Sequence, residues 1–329
     1  MHIAGISAAG YAEFLEIVNA EIRPDRAKTT AQDDFPVILG PENRAWQLGA
    51  TAEDGTLAGC IACLIRSVKT NWGEISVAGI GSVVTHPDFR GQGLSAALQI
   101  EMLTRLKGKN IPLAVLWTDQ GEIYAGRGFV PAGWELHIEL QDADLAGKVP
   151  AGATVRPFRS SDIQPMEDLY KTHARHTVRA AGDSARLYTM PGTRGWVLEG
   201  AGGDLLGGVF CGKGADFPEY VLEWNGSPEV VLPLLAAVRS MELAATVLVP
   251  CGAEDMAGLL FERGAAGFAV PSGSWVVLNA DPLLDLAGQN GDPAPADPLD
   301  PVHWLGEVDK TGQILAGPLE VAIWGFDSV

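Results

Sequence analysis

Positive charge is scarce in this sequence. Lys and Arg number 23 against 41 Asp and Glu, a net charge of −18. Nucleic-acid binding needs a dense basic face that displaces counterions, so no nucleic-acid partner is expected. The acidity suits a cationic substrate and equally serves solubility. Cysteine is also rare. Cys60, Cys63, Cys211 and Cys251 are too few and too scattered for a disulfide framework. Cys60 and Cys63 form a CxxC, but inside "LAGCIACLIRSV", which reads as a strand. Positions i and i+3 of a strand face opposite sides, and no second pair completes a zinc site. No metal is expected. No apolar run reaches 18 residues, which excludes a helix across a bilayer. The start, "MHIAGISAAGYAEFLEIV", lacks the basic segment of a secretory leader. A cytoplasmic protein without a membrane partner is expected.

What is present suits globular cores. Apolar residues make up 47% of 329, and at about 150 residues per domain the length suggests two domains. The first reads as helix, hairpin, strand, glycine-rich turn, helix, strand, short helix, strand. "AWQLGATAEDGTLAGCIACLIRSV" is the hairpin, with Asp54-Gly55 at its turn. "GLSAALQIEMLTRLKGK" has helical spacing and a basic, glycine-ended close. The expected fold class is α/β, with mixed central sheets flanked by helices. A second unit starts near Ala151 and repeats the order: "YVLEWNGSPEVVLPLLAAVRS…ATVLVP" parallels "GSVVTHPDFRGQGLSAALQIEMLTRL…LAVLWT". The expected boundaries are 1–145 and 151–280, then an acidic, Pro-rich linker at 281–302. A tail at 303–329 carries Trp304, Trp324 and Phe326, and should pack back on the body. His173 and His176 lack a third metal ligand and read as surface residues.

The stretch "HPDFRGQGLSAAL" carries the chemistry. The first N–H groups of a helix have no internal partner and, with the helix dipole, attract an anion. Gly91 and Gly93 let the backbone approach a phosphate, and Arg90 adds a forked cation. As a bare RGxG it would read as an ordinary turn with a helix cap. Its place after a strand and before a helix favours phosphate. The repeat has "EWNGSPE" there and has lost the Arg and the Gly-x-Gly turn.

The stretch resembles the Gln/Arg-x-x-Gly-x-Gly/Ala motif of the GNAT family of N-acetyltransferases. Arg90, Gly93 and Ser95 fill its places, and Ser95 departs from Gly/Ala while staying small. "EIYAGRGFVPAG" is similar to the family's later Tyr…Gly-Phe motif, with Tyr124, Gly128 and Phe129. The resemblance covers residues 1 to about 145. With the repeat, it extends to the tandem acetyltransferases of the enhanced-intracellular-survival type. Those carry an active domain, a degenerate copy and a sterol-carrier-like third domain, for which this chain has no room. The resemblance implies tandem GNAT folds, with acetyl-CoA as cosubstrate held by Val83, Val84, Thr85, Arg90, Gly91, Gln92, Gly93, Leu94 and Ser95. It implies that the strand at Ser82–Thr85 splays to admit the pantetheine arm. It further implies a Val83 backbone N–H on the oxyanion and Tyr124 as proton donor to the leaving thiolate. In the tandem subfamily the C-terminal carboxylate is the base, which here is Val329. Asp119, Glu122 and water are the other candidates. The implied acceptor is a small-molecule, peptide or lysine amine. The alternatives are a non-catalytic acyl-CoA sensor, or transfer of a longer acyl group or to a hydroxyl. The sequence leaves the oligomeric state open.

Overall fold

In the computed structural model, which describes residues 1–25 and 29–329, the Asp54-Gly55 turn closes a hairpin. Gly55 takes φ +91°, and Ala52 N–H donates to Thr56 O at 2.9 Å. Glycine supplies that positive φ without strain. The hairpin joins β2 (Gln47–Thr51) to β3 (Leu57–Lys69). β4 (Glu74–Thr85) returns along β3, and β1 (His2–Gly5) edges β2. The helix Leu94–Gly108 then carries the chain over to β5 (Leu113–Leu116), which runs parallel to β4. A parallel pair needs such a crossover. β6 (Val130–Ala132) closes this stretch.

Beyond it come β7 (Glu135–Glu139), β8 (Thr154–Pro157), β9 (His176–Val178) and β10 (Arg194–Glu199). β11 (Leu205–Cys211), β12 (Tyr220–Asn225), β13 (Thr246–Pro250), β14 (Ala266–Val270) and β15 (Gly273–Val277) follow. They form two sheets. One has the order β1-β2-β3-β4-β5-β15-β6 with β9 on β3, the other β14-β7-β13-β12-β11-β10-β8. β12 and β13 are the parallel pair of the second sheet, joined by the helix Pro228–Ser240. Mixed sheets flanked by helices are thus the observed class.

The sheets exchange strands. β7, which the sequence reading places within 1–145, lies in the second sheet between β13 and β14. β15, read within 151–280, lies in the first sheet between β5 and β6. A two-residue alternation marks a strand but not the sheet it joins. The two crossings pass each other at Gly133, which has φ +66° and lies so near Ser272 that a Cβ would stand 2.3 Å from its Oγ. The units therefore share strands as well as a face.

The stretch read as a linker begins with a helix, Asp281–Asn290, which buries Leu283 and Ala287. Pro282 at the helix start, apolar residues four apart and Gly291 at φ +77° after its end outweigh the acidic composition. In the tail, Trp304, Trp324 and Phe326 are buried. Trp304 meets Trp72 edge-on at 6.0 Å.

Candidate active site

The glycine turn leads into the helix Leu94–Gly108. Gly91 and Gly93 take φ +75° and +74°, and a Cβ built on either would meet nothing within 4 Å. Gly93 is the N-cap, no side chain caps this helix end, and its first turn holds no carboxylate. The end thus keeps its unpaired N–H groups and an uncancelled dipole, with room in front. Gln92 is exposed and Leu94 buried. The Ser95 hydroxyl accepts from Gln99 Nε2 at 2.9 Å. The Arg90 guanidinium pairs with Glu21, on the helix Tyr11–Ile22. An exposed pair of this kind contributes about 0–1 kcal/mol, so a pyrophosphate would displace it at little cost.

β4 and β5 pair only at Val77–Leu113, Ala78–Ala114 and Gly79–Val115. β4 runs six residues further, to Thr85, without β5 beside it. A gap therefore opens next to Gly79, and Val83, Val84 and Thr85 lie along its β4 side. Within the gap's β4 wall the register to β3 shifts between Cys60 and Ala62, and Ser82 takes φ +51°. This bulge reverses the alternation. Ala78 and Ile80 face the Leu94–Gly108 helix, and Val83, after the bulge, packs into that same cluster.

Val329 lies on the other face. A Cβ on Gly79 would stand 2.8 Å from Val329 Cγ2, and one on Gly81 would stand 3.3 Å from the Val329 carbonyl carbon. Glycine at both positions makes room for Val329. Tyr124 sits on the short helix Gly121–Ala125, edge-on to Phe129 at 6.2 Å, and joins the cluster that holds Val83. Burial pushes its hydroxyl above the ordinary value, with Arg127 opposing, so it is protonated at neutral pH and able to donate. The structure thus brings Val83 and Tyr124 to one face of β4 and Val329 to the other, with the gap between. Asp119 and Glu122 are exposed and line none of the cavities that Val329 lines.

The second unit holds the tail. Arg179, buried, sends Nε to Asp327 Oδ1 and Nη2 to Asp327 Oδ2, each at 2.9 Å, and also binds Glu223. Tyr170 donates to Asp327 at 2.8 Å and Tyr188 to Glu223 at 2.6 Å. Burial works against the Arg179 charge, but Asp327 and Glu223 outweigh it and hold its pKa well above the ordinary value. Lys213 Nζ donates to Gly325 O, Ser328 O and Ser328 Oγ at 2.9, 2.6 and 2.8 Å. Burial pulls its pKa down to about 8. None of these residues stands out in the sequence, because a buried charge and a solvated one look alike there.

The second parallel pair diverges too: β12 and β13 pair only at Tyr220–Thr246 and Val221–Val247. Here the chain's own tail fills the space, and a Cβ on Gly325 would stand 2.7 Å from Leu222 Cδ2. A cleft of about 680 Å³ lies at the start of the helix Pro228–Ser240. Glu254 and Asp255 line it, with no Lys or Arg among its lining residues.

Two further sequence readings meet the structure here. Cys60 and Cys63 are buried and pack into different clusters on opposite faces. Burial pushes both thiols far up. His173 and His176 are not surface residues. His173 is half-buried, its ring tilted against Trp324 at 4.2 Å and its Nε2 2.9 Å from Trp224 O, and His176 is buried on β9. The helix Ile163–Tyr170 stops before both of them. Among the described residues no group of three or more His, Cys, Asp or Glu could hold a metal. No helix among them is long and apolar enough to cross a membrane.

Residues 14–132 match the sequence profile of the acetyltransferase (GNAT) domain. Over that span the chain is similar to GNAT acetyltransferases. Solved structures of similar fold include a conserved Enterococcus faecalis V583 protein described as a probable N-acyltransferase. It is 16% identical with a TM-score of 0.66, over 86% of this chain and 74% of that one. A GCN5-related N-acetyltransferase from Kribbella flavida is 20% identical with a TM-score of 0.62, over 85% and 71%. Eis1 from Mycobacterium abscessus is 16% identical with a TM-score of 0.62, over 87% and 76%. At these identities the likeness is one of fold. No curated protein sequence matches the chain.

Proposed function

We propose that this protein is a GNAT acyltransferase that transfers an acetyl group from acetyl-CoA to a primary amine by direct attack. The observation that carries the reading is the gap beside Gly79, with the glycine turn at the end of β4 and Val329 against its wall. The open N-terminus of the Leu94–Gly108 helix suits the pyrophosphate, with Arg90, Gly91, Gln92, Gly93, Leu94 and Ser95 around it. Val83, Val84 and Thr85 line the path of the acyl arm. The amine nitrogen attacks the thioester carbonyl and the C–S bond breaks. The Val83 N–H supports the oxyanion. The amine's proton passes to the Val329 carboxylate, and Tyr124 O–H protonates the departing thiolate. The 1–145 region does this chemistry, and the 151–280 region walls the acceptor side and anchors the tail. The carboxylates in the second cleft disfavour a pyrophosphate there.

Thiol release from acetyl-CoA across a panel of primary amines tests the reading. Amine-dependent release at a rate lowered at least tenfold in Tyr124→Phe is expected. If acetyl-CoA raises the melting temperature and no amine yields thiol, the chain is a sensor of acyl-CoA.

A further inference from the structure

A cavity of about 180 Å³ lies between the two sheets, against Val329 and Trp117. Trp117 follows β5 directly, so this cavity adjoins the β4–β5 gap. We infer that it is the acceptor subsite, and that its ligand is a compact primary amine with an apolar body about the size of one aromatic ring. The inference rests on the amine-acceptor reading above and names the class of amine.

Three rings line the cavity: Phe35, Trp117 and Phe217. The Trp117 indole N–H is already used, donating to Ser272 O at 2.9 Å, so that side chain offers its apolar surface. A dry cavity of about 150 Å³ holds benzene. At 180 Å³ this one admits a single ring with a short arm. Mostly apolar walls with a few placed polar groups are the usual make-up of a small-molecule site.

The charge is supplied by Glu135. It is the first residue of β7, set at the interface by the strand exchange, and its side chain is 14% exposed. Among the described residues only the His137 ring bonds its carboxylate, at 3.1 Å. Burial pushes the Glu135 carboxyl above its ordinary value, against the pull of His137. A buried carboxylate with one neutral-capable partner is costly, and an ammonium from the ligand relieves that cost. The Val329 carboxylate, which also lines the cavity, serves the same nitrogen as its proton acceptor, and the other charged side chains are committed. Asp216 pairs with Arg23 at 2.8 Å, and all three Lys213 protons face the tail oxygens. Lys213 Nζ also lies 5.5 Å over the Phe35 ring. Glu135 therefore recognises a single cationic centre, and the rings hold the apolar body by contact.

The test compares 2-phenylethylamine with 1,4-diaminobutane in acetyl-CoA-dependent thiol release, and by calorimetry without acetyl-CoA. We expect kcat/KM at least tenfold higher for 2-phenylethylamine. Glu135→Gln should raise its KM at least tenfold with kcat within threefold. Phe217→Ala should do the same, and it reads the site by itself if the Glu135 variant fails to fold. A preference for the diamine, or a KM indifferent to Phe217→Ala, overturns the inference while leaving acetyl transfer intact. If no amine releases thiol, the function reading fails separately. The calorimetry then decides the site: 2-phenylethylamine binding weakened tenfold by Phe217→Ala supports it, and no binding sinks it.

Discussion

One glycine appended after Val329 of the 329-residue chain lowers kcat by about 10²–10⁴-fold, the range a positioned proton acceptor supplies. The KM for acetyl-CoA stays within a few-fold. The extra residue moves the carboxylate by roughly 3.8 Å along the chain and leaves the Asp327 and Ser328 anchors in place. The space that Gly79 and Gly81 leave for Val329 is already filled, with contacts of 2.8 and 3.3 Å to any added Cβ. The carboxylate cannot slide back. Val329→Ala keeps the terminal group and should keep kcat within a few-fold. A full rate in the extended chain assigns proton removal to water or to another group.

The second large effect is on stability. Arg179→Met costs about 3–5 kcal/mol, the usual loss when one partner of a buried ion pair is removed. Glu223 is fully buried and Asp327 nearly so. Without the guanidinium both carboxylates lose their counter-charge, although Tyr170, Tyr188 and Asn225 still donate to them. Denaturant unfolding measures the loss. Adding Glu223→Leu to the variant should recover part of it, since an apolar replacement removes the uncompensated charge. An Arg179→Met chain within 1 kcal/mol of the parent would mean that the network holds nothing together.

The parts of the fold set by local chemistry were legible in the sequence. The Asp54-Gly55 hairpin, the helix 94–108 and the Gly91/Gly93 turn follow from residues adjacent in the chain. The repeated order was legible for the same reason. The exchange of β7 and β15 was not, because a two-residue alternation carries no label for its sheet. The helix Asp281–Asn290 was hidden by composition, although Pro282, Leu283, Leu286 and Gly291 mark its start, face and end. The cavity beside Val329 collects Phe35, Trp117, Glu135 and Phe217 from four distant segments. No spacing rule joins those. The surroundings of His173 and His176 were not legible either, because His173 is covered by Trp224 and Trp324 arriving from elsewhere and His176 packs on Tyr170.

Calorimetric titration with acetyl-CoA tests the central claim, that the gap behind the Gly91–Gly93 turn is the site of transfer. The account predicts one acetyl-CoA per chain, with affinity falling at least tenfold in Gly93→Val. That variant puts a branched side chain at φ +74° in the open space before the helix. Two molecules per chain, or one whose affinity ignores Gly93→Val, would place the cosubstrate at the second unit and contradict it.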